Sequence, residues 1–228
     1  MCQPTISRMK ISKVEPSQRK EGRWLVWLED GSLIRIGEGD VVAHGLYAGM
    51  ELNDEAAAAL LDAAALHRMK QKALNALTAR PLSRKELTRK LTARPRPDRN
   101  GEEGELPPQP DLEPQAEAVA DWLEGLGLLN DLEYAKNLVR HYERKGYGPR
   151  KIRDELYRRG VPREYWDEAL EEREGSEEAI DAFLRARLKG GLPEGKELKR
   201  VTDALTRRGF SWPDIAAGLR RYGAEVED

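Results

Sequence analysis

Residues 147–162 read Tyr147-Gly148-Pro149-Arg150-Lys151-Ile152-Arg153-Asp154-Glu155-Leu156-Tyr157-Arg158-Arg159-Gly160-Val161-Pro162, and both ends of one helix are written into them. Pro149 suits the first helical position, where its absent N–H would have had no intrahelical partner. Ile152 and Leu156 follow one turn apart and define the buried side. The end is a basic last turn, Arg158 and Arg159, then a glycine free to adopt left-handed backbone, an apolar residue and a proline.

The pattern recurs in both directions. Upstream, in Leu82-Ser83-Arg84-Lys85-Glu86-Leu87, Ser83 can accept from the exposed amide three residues on, and Glu86 can reach back to the Ser83 amide. Leu82 and Leu87 can clamp across the first turn, which makes a capping box with a hydrophobic staple. Tyr147 and Ile152 occupy the same two offsets, and Leu87 with Leu91 match Ile152 with Leu156. Downstream, Val201 and Leu205 repeat the four-residue step before Arg207-Arg208-Gly209-Phe210. Trp166 and Leu170 stand after Gly160 as Ile215 and Leu219 stand after Gly209. The unit is helix, short turn, helix, glycine stop, helix. A unit with one apolar stripe cannot bury that stripe alone, so stacking follows. The expected fold is mainly α: three tandem three-helix repeats in an elongated bent array, preceded by a small β-rich N-terminal segment.

Segment boundaries follow from local signals. Residues 1–52 carry the β-rich segment: Met9 to Val14 alternates up to Pro16, and Trp24, Val26 and Leu28 alternate with Leu25, Trp27 and Glu29. Asp30-Gly31 makes a hairpin turn into Leu33, Ile34 and Ile36. Trp24 and Trp27 fall on opposite faces, so at least one should cover a neighbouring element. Asn53-Asp54-Glu55 caps an Ala-rich helix, either one long rod or two joined by a bend, which Pro81 ends. The first repeat spans 53–130, with a Pro-, Gly- and acid-rich insertion at about 95–114 that reads as a surface loop. Leu129-Asn130-Asp131-Leu132-Glu133-Tyr134 is a second cap with a staple and opens the repeat at 131–175. The third repeat, 176–228, opens at Ser176-Glu177-Glu178.

Composition narrows the function. Charged residues make up 35% and aromatics 6% of the 228 residues, a mix that suits helices with small contact surfaces. Lys plus Arg number 39 against 41 Asp plus Glu, for a net charge of −2, which argues against a protein coated for nucleic acid. The single cysteine, Cys2, excludes an internal disulfide and a cysteine zinc site. No stretch approaches the roughly 18 apolar residues of a membrane span, and no signal peptide opens the chain, so a cytoplasmic protein is expected. His44, His67 and His141 lie in no metal-ligand spacing. Gly125-Leu126-Gly127 sits at a helix end rather than between strand and helix, fitting a close crossing or a tight exit, not a phosphate loop. Glu171, Glu172 and Glu174 read as a solvated face, and capping accounts for Ser83. No catalytic residue, cofactor or metal is expected, and the chain is not expected to be an enzyme.

Charge is uneven along the chain. Arg140, Arg144, Lys145, Arg150, Lys151, Arg153, Arg158 and Arg159 face only Glu143, Asp154 and Glu155, and are interleaved with Tyr142, Tyr147 and Tyr157. Arg150, Arg153 and Tyr157 fall on one side of their helix, opposite Ile152 and Leu156. The side is either a hydrated face or a contact stripe, Arg and Tyr being favoured where surfaces bind. Arg158 and Arg159 are accounted for by the helix end alone. The candidate partner-binding set is Arg140, Tyr142, Arg144, Lys145, Tyr147, Arg150, Lys151, Arg153 and Tyr157.

These residues carry a resemblance. Leu126-Gly127-Leu128-Leu129-Asn130-Asp131 with Tyr134-Ala135, then Gly146-Tyr147-Gly148-Pro149-Arg150-Lys151-Ile152 with Glu155-Leu156 and Gly160-Val161, resemble the RecX family, and so does Arg80 to Leu87. The β-rich leader resembles that of the family's longer members, whereas the insertion at about 95–114 exceeds the family pattern. The resemblance implies three three-helix repeats, no catalysis, and binding to the RecA–single-stranded-DNA filament; the chain is expected to be a monomer. Lying in the filament groove and bridging protomers, it would suppress ATP hydrolysis, strand exchange and coprotease function in DNA repair, recombination and the SOS response, and favour net disassembly. The residues leave two other readings open. One is a DNA-binding protein with helix-turn-helix-like units and weak single- or double-stranded contacts; the other is a scaffold for a different helical assembly.

Overall fold

The computed structural model describes residues 9–93, 112–171, 176–189 and 191–224. Cys2, residues 95–111 of the insertion, Glu172 and Glu174 lie outside them. The chain divides into two compact units, Met1–Arg80 with Lys90–Trp122, and Pro81–Arg89 with Leu123–Asp228.

In the first unit, strands β1 (Met9–Pro16), β2 (Arg23–Leu28), β3 (Leu33–Gly37) and β4 (Glu51–Leu52) form one antiparallel sheet in the order β3-β2-β1-β4. The Asp30-Gly31 turn is closed by Asp30 Oδ1, which accepts from the Ser32 amide at 2.8 Å and its hydroxyl at 2.6 Å. Gly31 takes the left-handed backbone (φ +84°) that the turn requires. Val26 stands opposite Ile34 and Trp24 opposite Ile36. Strand alternation therefore puts Ile11, Val26, Leu28, Ile34 and Ile36 into one core, with Trp24 half-buried against them. Trp24 is the tryptophan that covers a neighbour.

Helix α1 (Glu38–Ala43) lies between β3 and β4, and α2 (Asp54–Ala79) is a single rod of 26 residues. Asn53 Oδ1 caps it by accepting from the Ala56 amide at 2.8 Å, and Arg80 leaves in extended conformation ahead of Pro81. Leu60 and Ala64 complete the sheet core, and Met69, Ala73 and Ala76 continue the buried side. Burying a side chain such as Leu60 contributes roughly 1.5–3 kcal/mol. Helix α3 (Arg84–Thr92) and helix α4 (Glu113–Gly125) follow. Gly127 then takes φ +68°, and no atom outside its chain neighbours lies within 4 Å of where its Cβ would be. That glycine serves a tight exit, not a helix crossing.

The second unit holds α5 (Asp131–Arg144), α6 (Pro149–Arg159), a 3-10 turn (Arg163–Tyr165), α7 (Trp166–Glu171), α8 (Ser176–Leu188), α9 (Gly195–Arg207) and α10 (Trp212–Tyr222). They build two equivalent cores. One contains Tyr134, Ala135, Val139, Ile152, Leu156, Val161 and Ala169; the other contains Ile180, Leu184, Leu188, Val201, Leu205, Phe210, Ile215 and Leu219. Ile152, Leu156 and Val161 hold the places of Val201, Leu205 and Phe210. Asn130 Oδ1 caps α5 through the Glu133 amide at 3.0 Å, while Leu129 and Tyr134 are buried as the staple. Trp166 keeps the register of Ile215 but is only half-buried, its indole donating to the Val161 carbonyl at 3.0 Å. Ala169 fills the centre of that helix interface instead.

Candidate partner-binding face and the joints that hold it

The face is carried by α6, and its orientation is set by two joints. At the α6 N-terminus the capping residue is Gly148, where α3 has Ser83. A Cβ on Gly148 would meet the carbonyl carbon and oxygen of Gly209 at 2.5 Å. The Gly148 amide donates to the Arg208 carbonyl at 2.8 Å, and the Arg150 amide donates to the Gly209 carbonyl at 3.1 Å. The stop of α9 thus takes up the orphan amides at the start of α6. Arg208 extends the joint: its guanidinium donates to the Gly146 carbonyl at 3.1 Å and lies 4.8 Å from the Phe183 ring centroid and 5.9 Å from that of Tyr147.

The other end of α6 is held in the same way. Gly160 (φ +70°) has Lys85 against it, and Ser83 Oγ donates to the Arg159 carbonyl. Twice, then, a glycine stop docks on the first turn of an earlier helix. The capping box survives within this joint, with Ser83 Oγ accepting from the Glu86 amide at 3.1 Å and Glu86 Oε2 accepting from the Ser83 amide at 3.4 Å. Asp131, also buried, accepts from the Arg84 amide at 2.8 Å, and burial pushes its carboxyl up from the usual range.

Arg159 needs more than the helix end that explained it in the sequence. Its Nε donates to Glu155 at 2.9 Å and a terminal nitrogen to Glu86 at 3.3 Å, while the Tyr134 hydroxyl donates to Glu86 at 3.0 Å. Glu86 and Glu155 are 7% and 4% exposed, so these carboxylates depend on such partners. Burial opposes ionisation of Glu155, but hydrogen bonding to Arg159 and the charges of Arg158 and Arg159 outweigh it and hold the carboxyl below its ordinary range. Burial, then the Glu86 charge, pushes the Tyr134 phenol up to about 12.

Against this frame the candidates separate. Arg150, Arg153 and Tyr157 are exposed together on the outer side of α6, Tyr157 at 68%. Arg140 and Arg144 are exposed on α5, with Lys145 at its end. Tyr142, Tyr147 and Lys151 are half-buried: the two rings pack 5.5 Å apart, and Lys151 lies against Gly209. The joints escaped the sequence reading. Their one legible sign was a glycine in a capping position, where a side-chain oxygen is preferred. Among the described residues, no group of three His, Cys, Asp or Glu side chains could hold a metal ion, and no helix is long and apolar enough to cross a membrane.

Residues 130–170, which hold α5, α6 and nearly all of α7, match the family model described as RecX, second three-helix domain. A regulatory protein RecX of Stenotrophomonas maltophilia (strain R551-3) is 36% identical over 152 residues, 66% of this chain and 84% of the relative. This chain belongs to the RecX family. A RecX regulatory protein of Levilactobacillus brevis is 29% identical over 211 residues, spanning 89% of this chain and 72% of the relative. Among solved folds, a crystal structure of a regulatory protein RecX superimposes with a TM-score of 0.70 at 23% identity, covering 93% of this chain and 99% of that one. RecX from Lactobacillus salivarius gives 0.55 at 20% identity, covering 70% and 97%. The RecX fold is therefore mainly helical here, with its small strand segment at the N-terminus.

Proposed function

We propose that this chain is a regulator that binds the RecA–single-stranded-DNA filament and restrains its ATPase, recombinase and coprotease activities, so modulating DNA repair and recombination. It acts as a cytoplasmic monomer, through three repeats at 53–130, 131–175 and 176–228 behind the leader at 1–52. Family membership supports the regulatory role, since the relatives are named regulatory proteins. The observation that carries the contact reading is the exposed Arg150, Arg153 and Tyr157 stripe, on a helix whose other side and both ends are fully engaged. Arg and Tyr side chains held on a rigid element suit protein recognition at low entropic cost.

The test titrates the protein into a DNA-dependent RecA ATPase assay. Wild type should inhibit at stoichiometric amounts and sediment with the filament. Replacing Arg150, Arg153 and Tyr157 by Ala should weaken inhibition at least tenfold and leave the thermal melt unchanged. Neither inhibition nor co-sedimentation by wild type would refute the role; early melting of the triple variant would show that the stripe is structural.

A further inference from the structure

The first unit contains a basic cleft that the filament reading does not use. It has a volume of about 440 Å³ and is lined by Arg23 of β2, Arg35 of β3, His67, Arg68 and Lys72 of α2, and Lys90 of α3. Among the described residues, no carboxylate lines it. Two buried nitrogens on its wall, Arg23 Nε and His67 Nε2, have no hydrogen-bond partner among the described residues. Burial holds the His67 imidazole below its ordinary range, with Arg23, Lys70 and Lys20 adding to the effect and Asp40 opposing it. Cations thus dominate the local field in a chain whose net charge is −2.

We infer that this cleft binds the phosphodiester backbone of a single-stranded nucleic acid. The cation count calls for a polyanion, since like charges gathered without carboxylates repel until an anion neutralises them. Exposure selects the kind. Arg35, Arg68, Lys72 and Lys90 are exposed and come from three elements, which suits a strand crossing an open floor better than a sealed small anion. Arg23 and His67 sit deeper and are half-buried. A flexible single strand can follow such a concave floor, and a stiff duplex cannot. Binding is expected to tolerate any sequence, because phosphate contacts carry no base information.

The inference is independent of RecA and is tested without it. Anisotropy of a fluorescein-labelled single-stranded oligonucleotide is read against the full chain across a salt series. Arg68→Glu with Lys72→Glu should weaken binding at least tenfold and make the log–log salt slope shallower by about 1.4, at ~0.7 per lost phosphate contact. Lys199→Glu with Arg200→Glu on exposed α9 positions makes the same charge change and should cost less than threefold. If the first pair melts early, Arg35→Gln replaces it and should weaken binding severalfold. Absence of binding by wild type at low salt overturns the inference, as do equal losses from both pairs. Tighter binding of the matching duplex overturns it as well, and so does binding of inorganic tripolyphosphate with no binding of the strand.

Discussion

Replacing Gly209 by Ala separates a glycine needed for its backbone from one needed for a joint. Gly209 sits at φ +92°, where an L-residue costs about 1–2 kcal/mol. Its new Cβ would also lie 2.4 Å from the backbone nitrogen of Lys151, which no rotamer change can relieve. The first turn of α6 must move, and the amides of Gly148 and Arg150 lose the carbonyls of Arg208 and Gly209. At about 1 kcal/mol net for each bond, the total reaches roughly 3–4 kcal/mol. Gly127 is the control: it has φ +68° and open space around its Cβ, so Ala there should cost only the ~1–2 kcal/mol of backbone strain. Urea unfolding measures both. With a slope of about 2 kcal/mol/M, the Gly209→Ala midpoint should fall by roughly 1.5–2 M and that of Gly127→Ala by roughly 0.5–1 M. Hydrogen exchange of the Gly148 and Arg150 amides should accelerate only in Gly209→Ala. Equal midpoint shifts with unchanged protection of those two amides would refute the joint.

The reciprocal change, Gly148→Ala, removes no left-handed residue (φ −84°), yet should cost about 2 kcal/mol, above the roughly 0.5–1 kcal/mol expected at an ordinary glycine cap; a loss no larger than that of an ordinary cap in the same urea assay would contradict the contact. Glu155 is held below its ordinary range, so its contribution is present above the unfolded value and lost as pH falls through the folded one. Glu155→Gln should therefore lower stability at pH 7 and converge with wild type in acid, and a pH-independent difference would argue against the ion pairs. The Tyr134 phenol, pushed up to about 12, contributes stability that is complete below the ordinary tyrosine value and lost as pH rises through its folded value. Tyr134→Phe should remove the last phenolate to appear in an absorbance titration and cost about 1–3 kcal/mol, because Glu86 loses a donor; a missing early phase instead would disprove the burial.

What could be read in the sequence was local. The Asp30-Gly31 hairpin, the caps at Asn53, Ser83 and Asn130, and the glycine stops are each decided within a few residues, and the structure has them where the residues placed them. The exposed side of α6 was legible because Ile152 and Leu156 fix the opposite side. Arg159 was misjudged for a physical reason: its partner Glu86 is 73 residues away, and no periodicity signals so distant a pair. The basic cleft escaped for the same reason, since its cations are gathered from two strands and two helices between Arg23 and Lys90. Charge runs reveal a patch only when one segment supplies it.

The joints also limit where the chain can carry additional sequence. Each is made from a helix first turn and a later glycine stop, so the spacing between the ends of α6 is fixed. Gly148 must reach Gly209 while Arg159 and Gly160 reach Ser83 and Lys85. One extra residue inside α6 would rotate everything beyond it by about 100°, turning Gly160 away from α3 and Arg159 away from Glu86. The acid-rich insertion avoids this because it falls between the end of α3 at Thr92 and the start of α4 at Glu113. Neither Ser83 to Glu86 nor Arg159 to Gly160 is interrupted. The connection between α3 and α4 can thus carry sequence that α6 cannot, and α6 is the helix that presents the Arg150, Arg153 and Tyr157 stripe.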